Sequence, residues 1–355
     1  LDTLLARDPA VATGRVKLEL AEVLFRNNEP IRARELLLEV KASNPPTKVG
    51  ENIDAFLAFI KSGTPSLFSG WASIGRLYDT NANQGPKIDT VLIYDLPFTL
   101  DRDARGSADW GTVIRAGGNL HYALNDQVAL QAGASLYSVA YDTLSRYDVL
   151  SASVHAGPSF KRNGWSFSLP YVVNHVKIGH DADWYQISHG VAPQFGWQLS
   201  PRLSVQGSFA WQNKYYRRNR PRNGKALTFS PSLRYGIDAS SYASIGGYVG
   251  KENSGIKTSR NASHGVTLGY YKAFNQSWSL YAAPSWSKTH YEGIEVAYGN
   301  KRRDEQLEFT SNLNYLYAPW GVNVTLSYTH TRNRSSLDLY GYKREQTMLS
   351  VNKEF

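Results

Sequence analysis

Cysteine is absent from the 355 residues, which excludes disulfides, thiolate metal sites and cysteine nucleophiles. Also missing is any uninterrupted apolar run near the ~20 residues that a membrane helix needs. With a mean hydropathy of −0.41, a helical membrane protein is excluded. A transmembrane β-barrel is not, because a polar lumen dilutes the average. Catalytic signatures are sparse too. The histidines (His121, His155, His175, His180, His189, His264, His290, His330) are scattered, with no H-E-x-x-H. His180-Asp181-Ala182-Asp183 reads as a loop, and no set of residues converges by spacing on one hydrolytic cleft. Asp79, Asn81 and Asn83 resemble the opening of a calcium loop. Gln84, however, stands where the tight turn wants Gly, and Thr90 where a Glu would close the frame, so a plain polar loop is the simpler reading. No catalytic residue, metal or cofactor is expected, and the protein is read as no enzyme. Beginning at Leu1 without a signal peptide, the chain reads as a processed or trimmed product.

What is present falls into two periodicities. Residues 1–62 are helical in pattern: Val16, Leu20, Val23 and Leu24 recur at helical spacing within Arg15 to Asn27. Ile31, Leu37, Leu38 and Val40 do so from Pro30 to Ser43, which Asn44-Pro45-Pro46 ends. A third segment, Val49 to Lys61, puts Ile53, Phe56, Leu57 and Ile60 on one face. Leu20, Ala21, Leu24, Ala33, Leu37, Val40 and Pro45 sit at the offsets of a tetratricopeptide hairpin, with an unrelated helical hairpin as the alternative. One such repeat cannot bury its own face, so further repeats precede it or it docks on the remainder of the chain.

Past Ser62-Gly63-Thr64-Pro65 the period changes to two. Segments between turn signals give about fourteen strands. They begin near Leu67–Tyr78, Ser107–Leu124, Gln127–Tyr141, Tyr147–Lys161, Trp165–Ile178, Trp184–Leu199 and Leu203–Tyr216. They continue near Lys225–Ile237, Ser240–Gly250, Arg260–Ala273, Trp278–Tyr291, Glu305–Tyr317, Val322–Thr331 and Lys343–Phe355. Pro158, Pro193, Pro231 and Pro284 fall inside strands on the apolar parity and weaken those assignments. Connections alternate short and long, as in bacterial barrels with periplasmic turns and extracellular loops. Tryptophans 110, 165, 184, 197, 211, 278, 286 and 320 lie near strand ends, where interfacial girdles belong. The expected fold is mainly β: a 14-stranded antiparallel transmembrane barrel over 67–355, with a small helical domain in the periplasm.

The formal charge of +9 is concentrated in expected extracellular loops. Arg217, Arg218, Arg220 and Arg222 form one basic loop. Lys301, Arg302, Arg303, Arg332, Arg334, Lys343 and Arg344 lie on its neighbours. Such charges can meet lipopolysaccharide phosphates, attract an acidic client or simply be solvated, and nucleic acid is not an expected partner there. Arg115, Asn119 and His121 are expected to face the lumen. The closing strand is expected to pair Leu349 and Val351 against the first strand, which carries Trp71, and to end at the aromatic Phe355.

On Leu20-Ala21, Leu24-Phe25, Ala33-Arg34 and Leu37, then Pro45-Pro46, Val49, Asn52-Ile53, Phe56-Leu57 and Ile60, the chain resembles the Slam family. These are the surface lipoprotein assembly modulators of type XI secretion. The first strand and its exit, Gly75 followed by Tyr78-Asp79-Thr80-Asn81-Ala82-Asn83, carry the likeness onward, and it spans about Val16 to Phe355. The resemblance implies a Gram-negative outer-membrane translocon for surface lipoproteins or small soluble haem-binding-type proteins, expected as a monomer. It also implies that Phe355 is read by the barrel assembly machinery. Arg15, Arg26, Arg32 and Arg34 are candidate client contacts. A substrate-specific diffusion channel is the alternative, and an outer-membrane hydrolase a third class.

Overall fold

A computed structural model describes residues 14–27, 29–43, 45–61, 66–125, 127–179 and 183–355. The join Ser62 to Pro65, the turn residue Asp126, His180 to Ala182 and the Ile31 side chain lie outside the described residues. Two compact units make up the chain, one helical and one a β-barrel.

In the helical unit, α1 is Gly14–Arg26, α2 Pro30–Ala42 and α3 Thr47–Lys61. Pro30 opens α2 in the first turn, where its fixed φ suits the helix and its missing N–H is not needed. Leu20, Ala21, Leu24, Ala33, Leu37, Val40 and Ile53 form the buried core, as their 3.6-residue spacing requires. Phe25 meets Phe56 edge to face at 5.4 Å. Ala21 and Ala33 have 0% exposure, so the first two helices meet across side chains with no room to grow. Ala33→Leu is therefore expected to cost about 1–3 kcal/mol by overpacking. Limited proteolysis of the full chain should then cut within 14–61 while the barrel band stays folded on unheated gels.

The barrel contains β1 (Ser66–Asp79), β4 (Asp109–Ala123), β5 (Val128–Tyr141) and β6 (Val149–Arg162). Two staves follow, each in two pieces: β7 (Trp165–Ser168) with β8 (Tyr171–Ile178), and β9 (Gln186–Val191) with β10 (Gln194–Ser200). Then come β11 (Leu203–Tyr216), β12 (Gly224–Asp238), β13 (Ser241–Ser254) and β14 (Asn261–Ala273). The wall finishes with β15 (Trp278–Glu295), β16 (Asn300–Tyr317), β17 (Val322–Ser335) and β18 (Tyr342–Glu354). Neighbours in sequence pair antiparallel, and β1 pairs with β18, so among the described residues the sheet closes as a fourteen-stave barrel. Closure leaves no edge to satisfy in lipid.

The proline positions have a local explanation. Pro170 and Pro193 sit in the breaks of the two divided staves, and Pro158 faces the first of them, accepting the Leu169 N–H at 2.9 Å. At Pro231 the ladder to β13 skips from Phe229↔Val249 to Ser232↔Gly246, and at Pro284 the ladder to β14 is likewise interrupted. A residue without an N–H forfeits one rung and keeps its neighbours.

Two of the expected loops are structured further than their composition suggests. The span read as a loop from Glu292 to Asp304 is mostly an extension of the β15–β16 hairpin, with a register shift between His290 and Ile294. Beyond the membrane both faces of a strand meet water, so the alternation that marked the strand disappears while backbone pairing continues. The first long connection holds an unforeseen hairpin, β2 (Thr90–Ile93) and β3 (Leu96–Thr99). Tyr94 and Asp95 turn it with φ of 52° and 59°, the positive pair that a two-residue hairpin turn requires.

Candidate functional site: lumen and seam

Two chemically distinct faces run along every stave. Outward, Ile74, Leu130, Val154, Phe209, Phe229, Leu268, Leu326, Leu349 and Val351 are exposed and apolar. Aromatic pairs mark the ends: Trp165 stacks on Trp197 at 4.2 Å and Trp278 lies 4.8 Å from Tyr315 near the short turns. Trp110 meets Tyr78 at 4.9 Å near the long loops. These are the interfacial belts that the sequence placed at strand ends.

Inward, the wall is polar along β11 to β14. Two adjoining cavities of about 320 and 330 Å³ share Ser204, Arg234 and Tyr242. The Arg234 guanidinium lies 3.6 Å from the Tyr242 ring centroid, and Tyr242 stacks on Tyr271 at 5.1 Å. At the neighbouring short turn Asp238 accepts hydrogen bonds from the Ser240 hydroxyl at 2.8 Å and the Ser240 N–H at 2.7 Å. These donors, the hydroxyl first, hold its carboxyl well below the usual carboxylate range. On the opposite arc, Arg115, Asn119 and His121 share the inner parity with buried Val113. The Arg115 guanidinium sits 5.5 Å from the Tyr137 ring, and His121 Nε2 is buried with no hydrogen-bond partner among the described residues.

Apolar residues also occur inside. Leu77, Val113, Val139, Tyr141 and Met348 form a core on the inner face near the long loops, joined by the loop residue Ala82. This core backs the seam. Trp71↔Glu354 through Asp79↔Gln346 are paired without a break, and Gly70 and Phe355 exchange both backbone hydrogen bonds at 2.7 and 2.9 Å. Leu349 and Val351 face outward opposite Arg76 and Ile74, whereas Trp71 faces inward. The Phe355 ring packs closely over Gly70 and the Trp71 ring over Gly117, so a Cβ at either position would displace the ring.

At its outer end the seam is held by a charged cluster. Asp79 has 0% exposure and receives Arg344 Nη2 at 2.6 Å, Arg344 Nε at 3.0 Å, the Tyr141 hydroxyl at 2.9 Å and Gln346 Nε2 at 3.0 Å. Asn81 carries the same clasp into the loop, donating to the carbonyls of Gly85 at 2.8 Å and Lys343 at 2.9 Å. Asn83 donates to the Arg105 carbonyl at 2.7 Å and accepts from the Ser107 N–H at 2.9 Å. The polar residues that suggested a calcium loop thus order the first loop and fasten β1 to β18. Gln84 takes the left-handed φ of 52° that the sequence reserved for Gly. Arg344 and Tyr141 were not singled out for this role. The signal that could have found them was the Tyr78-to-Asn83 exit.

The other sequence candidates are dispersed. Arg15, Arg26 and Arg32 each pair with a glutamate of the same helical region, at 3.1, 2.5 and 3.2 Å, while Arg34 is exposed. Arg217 pairs with Asp183 at 3.5 Å and Arg222 bonds the Tyr185 hydroxyl at 3.0 Å, with Arg218 and Arg220 exposed beside them. Among the described residues no group of three or more His, Asp or Glu is placed to hold a metal ion.

A closed antiparallel wall, apolar outside and polar inside with aromatic belts, defines a transmembrane β-barrel of the bacterial outer membrane. Residues 69–355 match the family described as Surface lipoprotein assembly modifier, and the chain belongs to that family. It is 22% identical over 351 residues to surface lipoprotein assembly modifier 1 of Neisseria meningitidis serogroup B, covering 96% of this chain and 69% of that protein. To the protein of the same name from Haemophilus influenzae it is 18% identical over 346 residues, covering 96% and 70%. Among solved structures, the outer membrane channel DcaP of Acinetobacter baumannii superposes with a TM-score of 0.47 at 10% identity, covering 82% of this chain and 97% of that one.

Proposed function

We propose that this barrel is a translocon that moves client proteins, surface lipoproteins or small soluble haem-binding-type effectors, from the periplasm to the cell surface. The observation that carries the reading is membership of the surface lipoprotein assembly modifier family across the whole barrel. The polar inner wall along β11 to β14 supports it, since a client needs a path free of lipid. Residues 1–62 act as a tetratricopeptide-type periplasmic domain that holds the client; Arg34, exposed Val23 and exposed Leu38 are its available contacts. No chemistry and no nucleotide is required, because folding outside supplies directionality.

Coexpression with a cognate lipoprotein should give surface display that is lost on deleting residues 14–61. Display that survives the deletion removes the helical unit from the mechanism. Discrete conductance steps without any dependence on a client gene would instead identify a diffusion channel. The route is testable because the chain has no cysteine of its own. Ser73 and Asn352 face each other across the seam, so Ser73→Cys with Asn352→Cys can be bridged by a short bismaleimide. The continuous pairing favours the lumen, and display should persist after bridging. Display abolished by the bridge assigns lateral exit.

A further inference from the structure

The geometry points to a phosphate-binding site at the outer rim, between the first long loop and the β17–β18 edge, built for a phosphorylated headgroup of the outer leaflet. A cavity of about 910 Å³ is lined there by Lys87, Arg102 and Arg105 from the loop and by His330, Lys343 and Arg344 from the strands. Its floor is rigid: Arg344 is committed to Asp79, and Asn81 ties the loop to the Lys343 carbonyl. The remaining cations are uncommitted. Among the described residues no hydrogen-bond acceptor or carboxylate engages the side chains of Lys87, Arg102, Arg105 or Lys343. The one acid lining the cavity, Glu345, is paired with His330 at 3.4 Å.

A second observation is independent of the cavity. Register places Arg332 directly opposite Lys343, and like charges facing each other across a ladder destabilise it unless an anion sits between them. Both residues share the outward parity with Leu326, Tyr328, Leu349 and Val351 and lie beyond that apolar band toward the long loops. Their height is therefore that of the headgroups. Arginine forks and lysine ammoniums from two separate elements suit a multiply charged phosphate better than a single carboxylate. The assignment does not depend on what the barrel transports, because Lys343 and Arg332 stand on the outward face, while Arg344 serves only as the floor.

The test uses the full chain purified in detergent and delipidated, with native mass spectrometry reading retention of added diphosphorylated lipid A, dephosphorylated lipid A or inorganic phosphate. Lys87→Gln with Arg102→Gln, Arg105→Gln and Lys343→Gln should weaken retention of the diphosphorylated lipid by at least about tenfold, the loss of several charge-assisted bonds. Arg217→Gln with Arg220→Gln, in the other basic loop, should leave it unchanged. Folding of each variant is read by its mobility in unheated gels. If the fourfold variant fails to fold, the exposed pair Arg102→Gln and Lys343→Gln takes its place. Equal retention of dephosphorylated lipid A, or wild-type retention by the folded variant, overturns the assignment. Inorganic phosphate binding as tightly as the lipid would keep the phosphate chemistry and overturn the lipid as its source.

Discussion

Asp79→Ala should loosen the barrel at one place, the outer end of the seam. The substitution leaves Arg344, whose side chain is 17% exposed, as a charge without its counter-ion. Removing one partner of a buried pair costs about 3–5 kcal/mol, far more than the net worth of the pair. Tyr141 and Gln346 lose the same acceptor, so three donors from two strands are released together. The expected result is a lower unfolding temperature by gel mobility and faster cleavage of the first loop by added protease. Arg344→Met alone should cost a similar amount, because it leaves the Asp79 carboxylate buried. Asp79→Leu combined with Arg344→Met should recover part of the loss, since apolar replacement of a whole buried pair is often neutral. A loss in that double variant equal to the sum of those of Asp79→Leu alone and Arg344→Met alone would show that the cluster is not a coupled unit.

Gly190→Ala is expected to prevent the barrel from assembling. A Cβ at Gly190 would fall on the backbone carbonyl oxygen of Trp211, which is held in the β9–β11 ladder and cannot rotate away. Relief requires the two staves to separate where Pro193 has already removed a rung. The cost is about 3 kcal/mol or more, at the upper end of overpacking penalties. Gly246→Ala is the contrast, because its Cβ would lie 3.6 Å from the nearest atom, the Ser232 Cβ. It should assemble like the parent. The measurement is the fraction of heat-modifiable protein in outer-membrane extracts. Equal yields for the two variants would contradict the close approach of β9 and β11.

The barrel was legible because its two faces have opposite chemistry. Leu203, Val205, Phe209 and Trp211 alternate with Ser204, Gln206, Ser208 and Gln212, and β11 begins and ends at the expected residues. The helical core was legible for the same reason at a different period, through Leu20, Leu24, Leu37 and Ile53. Alternation stops reporting where both faces are wet, which is why β15 and β16 were cut short at Tyr291 and Glu305. The seam cluster was hidden for another reason. Asp79 and Arg344 are 265 residues apart, and no local pattern links a strand exit to the first turns of the closing strand. Asp79 stood out as a possible metal ligand and as part of the Tyr78-to-Asn83 strand exit, not as a partner for Arg344. Its carboxylate has the same acceptor chemistry for a guanidinium as for a cation, and only the register of β1 on β18 decides between them.

The long β15–β16 hairpin gives the outer rim an uneven height. Each of its strands has 18 residues against 14 in β17, and four more residues raise it by about 13 Å at the usual rise per residue. Val296 stands near its tip with 74% exposure. An antibody or bulky dye aimed at Val296 on intact cells therefore reports topology directly. Binding without permeabilisation assigns the long loops to the exterior, and the same tag on a short turn, such as the one at Ala239, should be silent until the envelope is opened.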